Sequence, residues 1–203
     1  MTRTPTTDCP ILILAAGQSS RMRGRDKLFE TVNDLPLLRL QCLRALATGA
    51  TVFVALPASD TLRTALIRDL DVQILRVQHA ALGLGETLRS SVSQLPACDA
   101  FMVIPADLVD IEAADVAAVM GARQSHPDLK IWQATTGNGK PGHPVIFDAG
   151  LRSEFANLSG DTGARGIVTR HSDQTWHVPL GPQALLDLDT PEEWAAWRST
   201  TTT

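Results

Sequence analysis

Short apolar runs alternate with helical patterns along most of this chain. The early runs are continuous and rich in Val, Ile and Leu, which is typical of parallel strands covered on both faces. Seven runs predict strands, at 10–15, 51–56, 72–77, 100–104, 131–135, 144–147 and 175–179. Between and after them the sequence predicts helices, at 36–48, 60–69, 85–95, 111–124, 149–157, 162–170 and 191–198.

This alternation predicts βαβ units with right-handed crossovers. We expect an α/β fold, a three-layer α/β/α sandwich on a Rossmann-like, mostly parallel sheet. The length of 203 residues predicts one domain, 1–203, with a core of about 10–198. Ligands of such folds bind beyond the carboxyl ends of the strands, so the turns after the strands are the places to search for a site.

The composition excludes several functions. A formal net charge of −4 argues against a general nucleic-acid binder. No apolar run approaches the ~18 residues that a membrane span needs, and we expect neither a signal peptide nor a membrane contact. The three cysteines are far apart in the sequence, which favours buried thiols in a cytoplasmic protein over a metal site or a disulfide framework.

The turn after the first strand carries the clearest chemistry. Leu14 is followed by Ala15-Ala16-Gly17-Gln18-Ser19-Ser20 and then by cations at 21, 23, 25 and 27. Small residues let backbone N–H groups approach an anion, and the two serines add donors. Arg21 and Lys27 can then neutralise a phosphoryl group. The spacing matches neither a P-loop nor G-x-G-x-x-G, and a solvated loop is the alternative to a polyphosphate site.

The same stretch, L-A-A-G-Q-S-S-R-M-R-G-R-D-K-L, resembles the signature of the MobA-like nucleotidyltransferases. The molybdenum cofactor cytidylyltransferase branch is the most similar. Further segments that resemble motifs of this family lie at 83–91 (G-L-G-E-T-L-R-S-S), 141–147 (P-G-H-P-V-I-F), 160–165 (G-D-T-G-A-R) and 187–193 (D-L-D-T-P-E-E). Together they span roughly 10–198.

The resemblance implies a fold of the nucleotide-diphospho-sugar transferase type and an Mg²⁺-dependent transfer of CMP from CTP to the phosphate of molybdopterin cofactor, with release of pyrophosphate. A molybdoenzyme or its chaperone would be the recipient partner. The residues expected to bind the nucleotide are Leu14, Ala15, Ala16, Gly17, Ser19, Ser20, Arg21, Lys27, Arg89 and Asp107.

Nucleotidyl transfer to a phosphate is mainly a problem of bringing two anions together. Positioning and charge neutralisation solve it, and we expect Arg21, Lys27 and Asp107 to be the catalytic residues. Asp107 follows the fourth strand, where the family reads D-M-P and the Asp binds the metal; here Leu108-Val109 follows instead. Asp189, just before the last helix, is the second expected Mg²⁺ ligand. A turn role for Asp107 and a helix-start role for Asp189 are the alternatives.

On the acceptor side we expect His143, Asp161 and Arg165. Two prolines near His143 would fix where its imidazole points, and 159–165 would be a loop that opens a helix. The alternatives are a structural histidine, and an Asp161 that caps the helix and pairs with Arg165.

The sequence is compatible with more than one nucleotide and more than one acceptor. The cytidylyl branch of the family typically reads L-A-A-G where the guanylyl branch reads L-A-G-G, which favours CTP. Other hypotheses are guanylyl or other nucleotidyl transfer to a sugar phosphate, methylerythritol phosphate or phospholactate, and a non-catalytic nucleotide-binding cofactor chaperone.

Overall fold

The computed structural model describes residues 9–201, so the first eight and last two residues of the expected domain lie outside it. The strands are β1 (Ile11–Leu14), β2 (Thr31–Val32), β3 (Leu35–Pro36), β4 (Val52–Pro57), β5 (Val72–Val77), β6 (Ala100–Pro105), β7 (Ile131–Thr135), β8 (Pro141–Asp148) and β9 (Thr175–Pro179). The α-helices are α1 (Leu37–Leu46), α2 (Thr61–Ile67), α3 (Leu84–Gln94), α4 (Ala113–Ser125), α5 (Arg152–Phe155), α6 (Arg165–Arg170) and α7 (Pro191–Thr201).

Seven strands form one sheet in the order β5-β4-β1-β6-β8-β7-β9. Strand β8 runs antiparallel to both of its neighbours, and every other pair in this sheet is parallel. The mostly parallel sheet predicted from the apolar runs is therefore confirmed. Strands β2 and β3 form a separate hairpin, whose two-residue turn Asn33-Asp34 has positive φ at both residues.

Helices cover both faces of the sheet, which confirms the α/β/α sandwich. Alternate residues of β1 show this most simply, because Ile11 and Ile13 pack into one apolar cluster and Leu12 into the other. Helices α1, α2, α4 and α7 contribute to the first cluster, and α3, α5 and α6 contribute to the second. Within residues 9–201, no helix is both long and apolar enough to cross a membrane.

The chain order around β1 fixes where a ligand can enter. Strand β1 lies between β4 and β6. The connection from β1 to β4 contains α1 on one face of the sheet, whereas the connection from β5 to β6 contains α3 on the other. The two connections diverge between β1 and β6, and a crevice forms at the carboxyl ends of these two strands.

Candidate active site

A cleft of about 1100 Å³ opens at this crevice. The loop after β1 forms one wall, the turn after β6 lies at its centre, and β8 and α6 form the opposite side. The cleft brings together all of the site residues predicted from the sequence except one, namely Leu14, Ala15, Ala16, Gly17, Ser19, Ser20, Arg21, Lys27, Asp107, His143, Asp161, Arg165 and Asp189.

Arg89 is the exception, and the structure does not place it where it was expected. It is absent from the cleft lining, although Thr87 and Leu88 of the same helix are part of it. Each helical residue is rotated by about 100° from the last, so Arg89 points away from the face that meets the cleft. Its guanidinium pairs with Glu86, one turn earlier on the helix.

The loop after β1 is held from below by an arginine that the sequence analysis missed. The Arg63 side chain, only 5% exposed, extends from α2 and donates to the backbone carbonyls of Ala15 and Gly17 at 2.6 and 2.7 Å. Its Nε also donates to Asp26 at 2.7 Å. Because Arg63 holds the loop through these carbonyls, the contact leaves the backbone N–H groups of Ala16 and Gly17 for an anion.

Ser19 contributes to the loop differently from the expectation. Its hydroxyl donates to Asp26 at 3.0 Å and accepts the backbone N–H of Lys27 at 3.3 Å. The residue adopts the left-handed conformation, with φ at 51°. The hydroxyl of Ser19 therefore closes the loop on itself, and this connection places Lys27 at the floor of the cleft.

The four cations of the loop divide into two groups. Lys27, 13% exposed, bonds both Asp107 and Asp189, with 2.6 Å to the latter, and Arg21 lies 2.5 Å from the other oxygen of Asp189. Arg23 and Arg25 do not line the cleft and pair instead with acidic residues outside it, Glu192 and Glu30. Of these four cations, only Arg21 and Lys27 line the cleft.

Three carboxylates form a cluster, and the Lys27 ammonium bonds two of them, Asp107 and Asp189. Oxygens of Asp107, Asp187 and Asp189 all lie within 4.8 Å of one another. Burial acts to lower the pKa of Lys27, but the Asp107 and Asp189 carboxylates outweigh it and raise that pKa above its ordinary value. Desolvation, followed by the charges of Asp107 and Asp189, raises the pKa of Asp187. The cluster carries concentrated negative charge that a cation would stabilise.

The turn after β6 and the segment before α7 are joined by backbone contacts. Leu108 forms an antiparallel bridge with Asp187, and the N–H of Val109 donates to the carbonyl of Leu186 at 3.3 Å. A proline at 109, as in the D-M-P pattern, has no N–H for this bond. Valine therefore supplies a contact that holds the Asp107 turn beside the other two carboxylates.

Two further buried residues of α1 support this turn. Gln41 donates its side-chain amide to the carbonyl of Leu108, and Arg44 donates to the carbonyl of Val109 at 2.8 Å. Both side chains belong to residues less than a tenth exposed. In the sequence, Gln41 and Arg44 are noticeable only as polar residues on the buried face of a predicted helix. This pattern does not identify their partners.

His143 lies on the inner side of β8 with Nδ1 buried and without a hydrogen-bond partner among residues 9–201. Burial lowers the pKa of His143, and the charge of Asp107 and the backbone of Val103 oppose this only in part. The imidazole is therefore neutral near pH 7 and offers a hydrogen bond rather than a charge.

Asp161 and Arg165 reach the cleft from the segment before α6. Helix α6 begins at Arg165, and its N-cap residue is Ala164. The alternative in which Asp161 caps this helix is therefore wrong. Asp161 lies instead against the start of α3. A Cβ on Gly83 would come within 2.5 Å of the Asp161 carboxylate, and Gly83 has a φ of 109°, so only glycine fits this approach.

The fold and the cleft together define the class of the protein. A cationic loop at the carboxyl end of a parallel strand faces a set of carboxylates, which is an arrangement that nucleotide and metal chemistry requires. The family model for the MobA-like NTP transferase domain matches residues 11–175, and the chain belongs to this family of nucleotidyltransferases.

Several solved structures are similar to this chain in fold. Rv0371c from Mycobacterium tuberculosis H37Rv is 21% identical with a TM-score of 0.82, covering 95% of this chain and 98% of that one. The complex of Rv0371c with manganese gives 20% identity and a TM-score of 0.78, with coverage of 97% and 100%. A CMP:2-keto-3-deoxy-manno-octonic acid synthetase complexed with CTP is 15% identical, with a TM-score of 0.71 and coverage of 96% and 98%. No curated protein matches the chain significantly.

Proposed function

We propose that this protein transfers CMP from CTP to the phosphate of molybdopterin cofactor in an Mg²⁺-dependent reaction that releases pyrophosphate. The observation that carries the proposal is the position of Lys27. Its ammonium joins Asp107 to Asp189 in the same cleft that the Leu14–Arg21 loop lines, so phosphate-binding and cation-binding groups face one space. The proposed catalytic residues are Arg21, Lys27 and Asp107.

The residues present fit a divalent cation. Oxygens of three carboxylates lie within 4.8 Å of one another, and two of these carboxylates already bond one cation, the Lys27 ammonium. Hard oxygen donors of this kind suit Mg²⁺, which usually takes one or two carboxylates and completes its shell with substrate oxygens and water. Asp107 and Asp189 would hold the ion, and the ion would neutralise charge on the phosphates. The manganese complex of Rv0371c supports a divalent ion of this type.

The proposed reaction needs little proton transfer. The second pKa of a phosphate monoester is about 6, so the acceptor is already mostly a dianion at pH 7. One of its oxygens forms a bond to the α-phosphorus of CTP, and the bond from that phosphorus to the bridging oxygen breaks, so pyrophosphate leaves. Arg21 and Lys27 offset the charge that repels the two anions, while N–H groups of the loop hold the triphosphate.

The preference for CTP rests on the start of the loop. The side chains of Ala15 and Ala16 are buried, and both residues line the cleft. The methyl group of Ala16, which is not part of either core cluster, narrows the space beside the loop and favours a pyrimidine over a purine by about 1–3 kcal/mol. The synthetase complexed with CTP supports a cytidine nucleotide in this fold.

The molybdopterin acceptor rests on the opposite side of the cleft. His143, Asp161 and Arg165 line it there, each from a segment that resembles a motif of the cytidylyltransferase branch. Arg165 supplies charge for the acceptor phosphate and His143 supplies a neutral ring for a pterin edge. The product would pass to a molybdoenzyme or its chaperone in the cytoplasm, and the catalytic unit would be the single domain 1–203.

Pyrophosphate release from purified protein tests the proposal. CTP, GTP and ATP are each combined with Mg²⁺ and with molybdopterin, a sugar phosphate, methylerythritol phosphate or phospholactate. We expect release with CTP and molybdopterin. Release with another pair assigns a different transferase, and nucleotide binding without release in any mixture assigns a non-catalytic chaperone.

A further inference from the structure

Two buried polar atoms of the cleft have no hydrogen-bond partner within residues 9–201. They are Oε1 of Gln133 and Nδ1 of His143. Gln133 is only 8% exposed. Buried polar atoms in proteins almost always have partners, because leaving one without a bond has a large desolvation cost. Two such atoms in one cleft indicate that a ligand supplies what the protein lacks.

The contacts of Gln133 fix the direction of its amide. The Nε2 group donates to the carbonyl of Gly142 at 3.2 Å. A carbonyl oxygen only accepts, so the amide nitrogen must lie on that side and Oε1 must face the other. Gln133 lines the cleft, and the amide atom that has no partner is therefore a hydrogen-bond acceptor at every pH at which the protein is folded.

The surface around this acceptor is apolar. Gln133 pairs with Val145 on β8, and Val145 pairs with Val103 on β6, so the three residues form a row across the sheet. Phe147, two residues beyond Val145, lies on the same face, as His143 does in the other direction. Leu88 of α3 and Val168 of α6 add further apolar lining.

We infer that this row is a subsite for a flat heteroaromatic ring on the acceptor substrate, and that Gln133 determines specificity by accepting a hydrogen bond from an N–H of that ring. The inference rests on the proposed transfer to a phosphate-bearing acceptor. A heteroaromatic ring has apolar faces and a polar edge, which matches an apolar floor with polar atoms at its border. A polyol has hydroxyl groups on every side and would leave several without partners there.

Calorimetric titration of the full-length protein with two probes tests the inference. One probe is 6-hydroxymethylpterin phosphate, which carries ring N–H groups, and the other is ribose 5-phosphate, which carries the same phosphate on a polyol. The variants are Q133L and the nearly isosteric Q133M, the second of which serves if the first does not fold. Ser91→Ala is the matched control, because the Ser91 hydroxyl is also buried without a partner but does not line the cleft.

We expect the wild type to bind the pterin probe more tightly than ribose 5-phosphate. Each Gln133 variant should bind the pterin probe about tenfold more weakly, with unchanged affinity for CTP and for ribose 5-phosphate. Ser91→Ala should bind both probes as the wild type does. The inference is overturned if the wild type does not bind the pterin probe, if the variants bind it equally well, or if they lose affinity for both probes alike.

The inference and the proposed function can fail separately. If binding of the pterin probe depends on Gln133 but CTP and molybdopterin together give no pyrophosphate, the proposed reaction is contradicted and the ring subsite is supported. Pyrophosphate release from CTP in the presence of molybdopterin, with the same KM for molybdopterin in wild type and Q133L, would support the reaction and contradict the subsite.

Discussion

The Lys27 ammonium lies 2.6 Å from a carboxylate oxygen of Asp189, although the two residues are 162 positions apart in the chain. The same ammonium bonds Asp107, which follows a different strand. One cation thus connects the loop after β1, the turn after β6 and the segment before α7. This relationship makes the cleft a single site.

Lys27→Met should separate cation binding from turnover. Removal of the ammonium leaves Asp107 and Asp189 without their bridging charge, so a divalent ion should bind more tightly. Turnover should nevertheless fall by about 10²–10³-fold, because the transferred phosphoryl group loses a fixed positive charge. Titration with Mn²⁺ measures the first effect, and pyrophosphate release measures the second.

Arg23→Met is the control for that change, since Arg23 is exposed and pairs with Glu192 outside the cleft. It should bind Mn²⁺ and turn over as the wild type does. Weaker Mn²⁺ binding by Lys27→Met would show that the carboxylates do not hold the ion.

Arg63→Ala should weaken both the fold and nucleotide binding. The change removes the Arg63 donor from two backbone carbonyls and one of several donors from the Asp26 carboxylate, which costs about 3 kcal/mol in the free energy of unfolding. Because the loop is then no longer held, the KM for CTP should rise. Urea unfolding and initial-rate kinetics measure the two effects.

Arg68→Ala provides the comparison on the same helix, at its exposed C-terminal end. The free energy of unfolding of this variant should stay within about 0.5 kcal/mol of the wild-type value. Arg63→Lys keeps the charge but lacks the planar fork whose three nitrogens reach three separate acceptors, so its free energy of unfolding should fall between those of the two alanine variants. An Arg63→Ala variant as stable as Arg68→Ala would contradict the role of Arg63.

The fold was predictable from the sequence because its signals are local. Each strand of the large sheet is a short apolar run, and the helix after Thr190 begins with a hydroxyl that accepts the N–H of Glu193. The direction of β8 was not predictable, since a buried apolar run looks the same in a parallel and an antiparallel pair. The two-residue strands of the hairpin are too short to show the alternation of apolar and polar residues that predicts a strand.

The site was predictable only in part. The loop and Asp107 follow strand ends, so their positions come from the topology, and the resemblance added His143 and Arg165. Arg63 was not predicted because two of its partners are backbone carbonyls 46 and 48 positions away and the third is Asp26, 37 positions away, and no sequence pattern records such contacts. Arg89 was misplaced because a helix start alone does not tell which side of the helix faces the ligand.

Ala16→Gly should relax the choice of nucleotide. Loss of one buried methyl group widens the cleft beside the loop, so binding of GTP should improve relative to CTP by about tenfold. Calorimetric titration of both nucleotides with Mg²⁺ measures the ratio. An unchanged ratio would exclude the methyl group of Ala16 as a determinant, and tighter GTP binding by the wild type would reverse the assignment of CTP.

The stability of the protein should fall at alkaline pH because of Cys42. Burial raises the pKa of this thiol from 9.0 to about 12, with a smaller opposing effect of Arg39. Between these pH values the unfolded chain releases a proton that the folded chain keeps, so the free energy of unfolding decreases by about 1.4 kcal/mol per pH unit. The chain has no tyrosine, so no phenol titrates in this range.

Cys42→Val removes this contribution. Urea unfolding of wild type and variant at pH 8, 9.5 and 10.5 should give a difference in stability that moves in favour of the variant as the pH rises. A difference that is constant with pH would show that the thiol titrates alike in the folded and unfolded states.

Transfer of label from CTP labelled at the α-phosphate tests the account most directly. Purified protein, Mg²⁺ and molybdopterin should yield labelled molybdopterin nucleotide and one pyrophosphate for each transfer, and Asp107→Asn should yield about 10²–10³-fold less of both. The exposed Asp71→Asn, which lies outside the cleft, should behave as the wild type. Undiminished label transfer by Asp107→Asn, or pyrophosphate release without labelled product, would contradict the account.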